Sequence, residues 1–299
     1  MFPQKAKPLS PAGRTVVITG ASTGLGKHCA LQLERRGFHV FAGVRKAEDG
    51  EKLRAEASSA RLRPLLLDVT DEESIRTAAA EVAESVAEHG VWGLVNNAGT
   101  CVSAPLECVQ PAWLRQQLDT NVVGAVAVTQ AFLPQLRRSR GRIVNISSGL
   151  GSVAIPYLGA YATGQFAKEG MSDALRRELR PFGISVSVVK PGAIATPIWH
   201  KVRETGEKIL DKTPHDIADL YRLPFEEFLR MNEDRAQSSS TQPEDFARTV
   251  FRALTSAQPR TRYCVGNDAR TAALLSRLLP DAALDRGFHQ LTEATSRNS

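Results

Sequence analysis

Cysteine is scarce: Cys29, Cys101, Cys108 and Cys264 are the only four in 299 residues, and they form no CxxC pair and no histidine-rich cluster. Their spacing excludes a zinc ribbon or a disulfide scaffold and leaves reduced structural thiols. No metal site is expected. Long apolar runs are missing too: no window holds about 18 uninterrupted apolar residues, so no integral membrane segment is expected. The opening Met1-Phe2-Pro3-Gln4-Lys5-Ala6-Lys7-Pro8 lacks the apolar stretch of a secretory signal, and a cytoplasmic location follows as the expectation. Acidic residues are outnumbered, Asp+Glu 32 against Lys+Arg 38, for a net charge of +6. The densest basic run, Arg137-Arg138-Ser139-Arg140-Gly141-Arg142, has no interleaved aromatic residue. It reads as a solvated helix end, where cations complement the helix dipole, and no nucleic-acid platform is expected. Hydrophobic residues at 42% and charged residues at 23% exclude a wholly disordered chain.

What is present is an alternation of strand and helix patterns. Residues 1–14 read as a flexible tail. Residues 15–19 (TVVIT) form a β-branched run, hence a buried strand. Further strands are read at 40–44, 65–69, 91–95, 142–147 and 184–189. Helical patterns lie between them, including two long ones at 111–138 and 157–180. Strict alternation predicts an α/β fold: a doubly wound Rossmann-type parallel sheet with helices on both faces, in a single domain with a C-terminal helical lid. The core spans 15–196. Residues 197–241 read as short helices forming the lid, with a polar break at 236–242. Residues 242–299 read as C-terminal helices and a last strand at 262–265, with about the last fifteen residues loose.

Thr19-Gly20-Ala21-Ser22-Thr23-Gly24-Leu25-Gly26 joins the first strand to the first helix. Glycines let the backbone turn tightly and approach a pyrophosphate, whose charge then sits at the helix N-terminus. The spacing is TGxxxGxG rather than GxGxxG. The second strand ends in Gly43-Val44-Arg45-Lys46, where an acidic residue would bind ribose hydroxyls and repel a 2′-phosphate. A guanidinium grips a phosphate through a planar fork of donors, so Arg45 favours NADP(H) over NAD(H). The plain alternative makes Arg45 and Lys46 surface charges. Asp68 either accepts a bond from the adenine amine or caps the following helix.

Taken together, the TGxxxGxG loop, Asp68-Val69, Asn96-Asn97-Ala98-Gly99, Asn121, Ile146-Ser147-Ser148, Tyr161 and Pro191-Gly192 followed by Thr196 resemble the short-chain dehydrogenase/reductase family. The match runs from about residue 15 to 196, and it is nearest to the branch acting on retinoids, steroids and similar apolar alcohols or ketones. The resemblance implies hydride transfer between a nicotinamide and a carbonyl carbon. Tyr161 would be the general acid or base, Ser148 would hold the substrate oxygen, and Ser147 would face away. Asn121 would kink its helix and anchor a water for proton relay, or else satisfy local backbone groups. Gly20, Ser22, Thr23, Gly24, Leu25 and Gly26 would cradle the phosphates. Asn97, Ala98 and Gly99 would line the cofactor, and Pro191, Gly192, Ile194 and Thr196 would border the nicotinamide. Pairing through the two long helices would give a homodimer or homotetramer.

One position departs from the family pattern. Tyr-x-x-x-Lys is replaced by Tyr161-Ala162-Thr163-Gly164-Gln165. Gln165 shares a helix face with Tyr161 and its amide can still bond ribose hydroxyls, but it carries no charge to favour the phenolate. Losing such a donor or charge costs about 10²–10³ in rate. Three readings compete: a slowed enzyme in which Gln165 binds ribose, a cofactor-binding protein with little turnover, and rescue by Lys168 reaching back from seven residues on. Outside the last reading, Lys168 is a solvated or interface lysine. The segments after Ser148 and Gly99 are mostly apolar, which with the lid predicts a cleft for a medium-sized apolar alcohol, ketone or aldehyde. The alternative from another class is a non-catalytic dinucleotide sensor or scaffold.

Overall fold

A computed structural model describes residues 8–296. Seven strands form one parallel sheet: β1 (Thr15–Ile18), β2 (His39–Val44), β3 (Leu62–Leu66), β4 (Gly93–Asn96), β5 (Arg142–Ile146), β6 (Ser185–Pro191) and β7 (Arg262–Val265). The helices are α1 (Gly24–Arg35), α2 (Ala47–Glu56), α3 (Glu72–Val86), α4 (Pro111–Leu118), α5 (Gly124–Ser139), α6 (Gly159–Leu179), α7 (Ile198–Asp211), α8 (His215–Gln237), α9 (Pro243–Thr255), α10 (Asn267–Leu278) and α11 (Asp281–Ser296). Strand order is β3-β2-β1-β4-β5-β6-β7, every neighbouring pair parallel. The order reverses between β1 and β4, which opens a crevice at the carboxyl ends of the strands.

Period-two alternation decides which helix covers which face. Val16 and Ile18 point to one side, with Leu31 and Leu33 of α1 and Phe246 and Val250 of α9. Val17 points to the other, with Val82 of α3, Phe132 and Leu136 of α5 and Leu179 of α6. Both faces are buried, as continuous β-branched runs require. A third cluster joins α7 and α8 to the 102–108 loop through Val102, Ala104, Val202, Leu210 and Phe225. Among the described residues no helix is long and apolar enough to cross a membrane.

Several expectations are corrected. The helix read at 111–138 is two helices, because the backbone widens into a π turn at Asp119–Val123. The helix at 157–180 starts only at Gly159, after Tyr157 takes φ +64. The third strand lies at Leu62–Leu66 rather than 65–69. The lid segment is not several short helices: α8 runs 23 residues through Pro224 and absorbs the start of the polar break. Of the final stretch expected to be loose, α11 extends to Ser296, and residues 297–299 lie outside the described residues. Of the tail expected over residues 1–14, residues 1–7 lie outside the described residues, and Leu9 is anchored by its amide to the Thr255 carbonyl at 2.7 Å. Arg142 is no solvated helix-end cation; it is 5% exposed and donates to the Ala253 carbonyl.

Candidate active site

The glycine turn after β1 is fixed by what lies behind it. Gly20 has φ +66, and a Cβ there would lie 2.8 Å from the Ala98 Cα. A Cβ on Gly26 would lie 2.2 Å from the Gly20 carbonyl oxygen, so only glycine lets α1 start this close to the turn. Thr19 Oγ1 accepts bonds from the Asn97 and Ala98 amides at 3.0 and 2.9 Å. The Asn97 amide returns bonds to the Thr19 and Gly20 carbonyls at 2.9 and 3.1 Å. Two sequence-distant motifs thus form one rigid cradle. Thr23 is the N-cap of α1 but makes no side-chain cap bond, which leaves first-turn amides of α1 facing the crevice.

At the far rim Arg45 is exposed and lines the crevice, and no ion pair among the described residues engages it. Asp68 is not the cap of the next helix. Asp71 fills that role, accepting from the Glu73 and Ser74 amides, while Asp68 accepts from Thr70 at its amide and hydroxyl. Asn121 sits in the π turn, 1% exposed, and its amide is engaged at both ends by Thr100: Oδ1 accepts at 2.8 Å and Nδ2 donates at 2.9 Å. Gln117 ties the same loop at the Thr100 carbonyl and the Val102 amide.

The opposite wall is α6 and the end of β5. Tyr161, in the first turn of α6, lies near enough to the Ser148 hydroxyl for that group to favour its ionised form. Burial pushes its phenol above the usual range, the nearby Cys101 adds to that, and the Ser148 hydroxyl opposes both. Gln165 is 2% exposed and its Oε1 is buried without a partner. Lys168 is neither solvated nor at a surface: it is 2% exposed and its Nζ donates to the Ile146 carbonyl at 3.0 Å. Burial lowers its pKa to about 8.

These walls enclose a cleft of about 810 Å³ running from the glycine turn past Arg45 and Asp68 to Tyr161 and Gln165. Residues 14–207 match the family described as short chain dehydrogenase. The chain belongs to the short-chain dehydrogenase family. As such it is an oxidoreductase. Over 276 residues this short-chain dehydrogenase is 44% identical to a 3-amino-tetrahydro-pyrrolizinone reductase of Xenorhabdus hominickii, covering 92% of this chain and 94% of the relative. It is 39% identical over 275 residues to the 17-beta-hydroxysteroid dehydrogenase type 6 of Bos taurus, covering 90% and 86%. A solved short chain dehydrogenase from Burkholderia cenocepacia in complex with NADP superposes with a TM-score of 0.71 at 26% identity, covering 93% of this chain and 98% of that one.

Of the residues expected to hold the cofactor, Gly20, Ser22, Thr23, Gly24, Leu25, Gly26, Arg45, Asp68, Val69, Asn97, Ala98, Gly99, Tyr161, Gln165, Pro191 and Thr196 line the cleft, and so does Asn121. Gly192, Ile194 and Ser148 are not in its lining. Gly192 packs on Asp268, which also accepts the Ala193 amide at 2.7 Å. Ser147 borders the cleft, while its buried, unpartnered hydroxyl is turned towards Gly151, which is not in the lining. Sequence reading missed Arg115 of α4 and Lys201 of α7, which also line it. Their helical spacing marks only an exposed face, so no local pattern could have singled them out. Among the described residues no group of histidine, cysteine or carboxylate side chains could hold a metal ion.

Proposed function

We propose that this short-chain dehydrogenase is an NADP(H)-dependent oxidoreductase interconverting an apolar alcohol and its ketone or aldehyde. The observation that carries the reading is Tyr161, under the influence of the neighbouring Ser148 hydroxyl, lining a cleft that begins at a glycine cradle. The cradle suits a dinucleotide because Thr23 leaves first-turn amides of α1 open to the crevice, and the unpartnered Gln165 Oε1 is an acceptor suited to a ribose hydroxyl. Arg45 would hold a 2′-phosphate, with no acidic residue beside it to repel one. The solved relative in complex with NADP supports that choice. The nicotinamide, when bound, supplies or accepts the hydride. Tyr161 gives the substrate oxygen its proton during reduction and takes it back during oxidation, and the Ser148 hydroxyl holds that oxygen. The Asn121 amide is anchored to Thr100 at both ends, which leaves one amide hydrogen and one oxygen lone pair to hold a relay water at this turn.

Cys101, Ile198 and Val202 give the substrate side an apolar lining, with α7 and α8 as its lid. The relatives named for a hydroxysteroid and a pyrrolizinone agree with a ring-bearing substrate. A location in the cytoplasm and pairing through α5 and α6, where Phe166 of α6 and Val123 just before α5 are exposed, complete the proposal.

The test is fluorescence titration with NADPH and NADH, followed by cofactor oxidation against a panel of apolar ketones. NADPH is expected to bind at least tenfold more tightly. Tyr161→Phe is expected to cut kcat by about 10²-fold or more while leaving cofactor affinity within about twofold. Tighter NADH binding removes the role of Arg45. Cofactor binding without turnover of any carbonyl favours the second reading, a dinucleotide-binding scaffold, which the neutral Gln165 motivates.

A further inference from the structure

The loop after β6 reaches the cleft with Pro191 and Thr196, and the start of α10 stands behind it. Asp268 Oδ2 accepts the Ala193 amide at 2.7 Å, from 75 positions further along the chain. Its Oδ1 accepts the Ala269 amide at 2.8 Å. An acid in a first turn complements its own helix dipole wherever it points, so that role does not explain a carboxylate aimed at another element. Two glycines clear the space for it. A Cβ on Gly192 would lie 1.9 Å from Oδ1, and one on Gly266, at φ +95, would lie 2.6 Å from the same atom. Ala269 meets the other turn of the site: a Cβ on Gly149, next after Ser148, would lie 3.4 Å from the Ala269 Cα. One dipeptide of α10 thus backs both the turn after Ser148 and the turn after Pro191.

Resting on the function proposed above, we infer that Asp268 is a positioning residue for the nicotinamide half of the dinucleotide: from behind the site its carboxylate holds the 191–196 loop where Pro191 and Thr196 reach the cleft. Asp268 itself is not in the cleft lining. The rest of the loop is pinned by the Gly192 amide on the Val265 carbonyl and the Trp199 indole on the Ile194 carbonyl, each at 2.9 Å. Arg235, near the end of α8, stands 4.0 Å from Asp268 Oδ2, so the same carboxylate also meets the lid. Removing it strips the Ala193 amide of its acceptor and opens a gap beside Gly192, and the loop then settles away from the cleft. A shift of about 1 Å in a positioning element costs up to about 10²-fold in rate.

The experiment reads the two halves of the dinucleotide separately on the full chain. NADPH and 2′,5′-ADP, which lacks the nicotinamide, are titrated into the native chain, Asp268→Ala, Asp268→Asn, Gly192→Ala and the Gly192→Ala, Asp268→Ala double variant. Circular dichroism checks the fold of each. Asp268→Ala is expected to weaken NADPH about tenfold and 2′,5′-ADP by less than about twofold, and to lower kcat for ketone reduction about tenfold. Asp268→Asn keeps an acceptor for the Ala193 amide and stays within about threefold of native on every readout. Gly192→Ala drives a methyl group into the carboxylate and loses more than Asp268→Ala does. The double variant returns to the level of Asp268→Ala alone, because the clash has gone. Where Gly192→Ala does not fold, recovery of the native spectrum in the double variant is the same rescue. A merely structural acid would weaken both probes alike or neither, and either result in Asp268→Ala overturns the inference. So does a Gly192→Ala defect that removing the carboxylate leaves unrelieved. A native chain that binds both probes but reduces no ketone refutes the proposed turnover instead, and the two-probe comparison still decides the role of Asp268. A native chain that binds neither refutes the cofactor reading, and the inference with it.

Discussion

A lysine ordinarily titrating at 10.5 is held at about 8 in α6, and desolvation is the cause. Between those values the unfolded chain binds a proton that the folded chain has lost, so folding becomes more favourable as pH rises through that window. Below it the whole cost is present, on the order of 3 kcal/mol. Lys168→Met is therefore expected to raise Tm near pH 7, with the gain shrinking towards pH 10. Calorimetry across that range checks it, and a gain that ignores pH would remove the burial argument. The same residue shows how far one position can be read from sequence. Helical spacing places Lys168 on the Tyr161 face, but lysine is usually solvated, and only the closing of α6 over the end of β5 buries it. Ser147 and Ser148 were legible as a pair. Strand β5 ends at Ile146, and the tight turn at Gly149–Gly151 packs against the Ser147 hydroxyl.

At the scale of elements, the strands were legible wherever a β-branched run is buried on both faces. The exception is β3: it is an edge strand, so Pro64 costs it no ladder bond on its open side, and the apolar run seemed to begin after it. α8 was harder, because Pro224 sits in its interior while Leu220 and Leu223 are exposed. It persists through tertiary support: Arg203 of α7 clamps Glu233 of α8 with bonds of 2.9 and 2.8 Å. Tyr157 packs its ring 5.5 Å from Phe225 and 5.1 Å from Phe228. Phe225 is fully buried against Gly206 of α7, where a Cβ would lie 2.7 Å from its ring. Phe225→Ala is expected to cost about 3–5 kcal/mol of local packing. Because that cost falls on α7 and α8 and not on the cradle, limited proteolysis within residues 198–237 should accelerate. KM for an apolar ketone should rise several-fold while NADPH affinity holds. A loss of NADPH binding in step with KM would mean the pair does not act as a separate cover.

Across the whole molecule, the two ends of the sheet do different work. Glycine cradle, Asn97, Ser148 and Pro191 all follow the carboxyl ends of their strands, where reversal of strand order leaves the crevice. The amino ends are closed by α9, whose last four carbonyls all find donors: Arg252 from the Ser256 amide, Ala253 from the Arg142 guanidinium, Leu254 from the Trp92 indole and Thr255 from the Leu9 amide. Arg14 and Arg142 both lie over the Trp92 ring, at 3.6 and 5.1 Å. Burial, with the Arg14 cation adding to it, lowers the Arg142 pKa to about 10, still far enough above neutrality to keep the guanidinium charged. None of this was legible from the basic run that contains Arg142, since a strand start and a helix end look alike in charge pattern alone. Arg142→Ala strips the Ala253 carbonyl of its donor and opens the stack on Trp92. It is expected to lower unfolding free energy by about 2–4 kcal/mol. NADPH affinity and the pH profile should not move, because no element of the crevice touches this end. Urea unfolding alongside cofactor titration reads both quantities on one sample, and a change in cofactor affinity larger than about twofold would show that the two ends of the sheet are coupled.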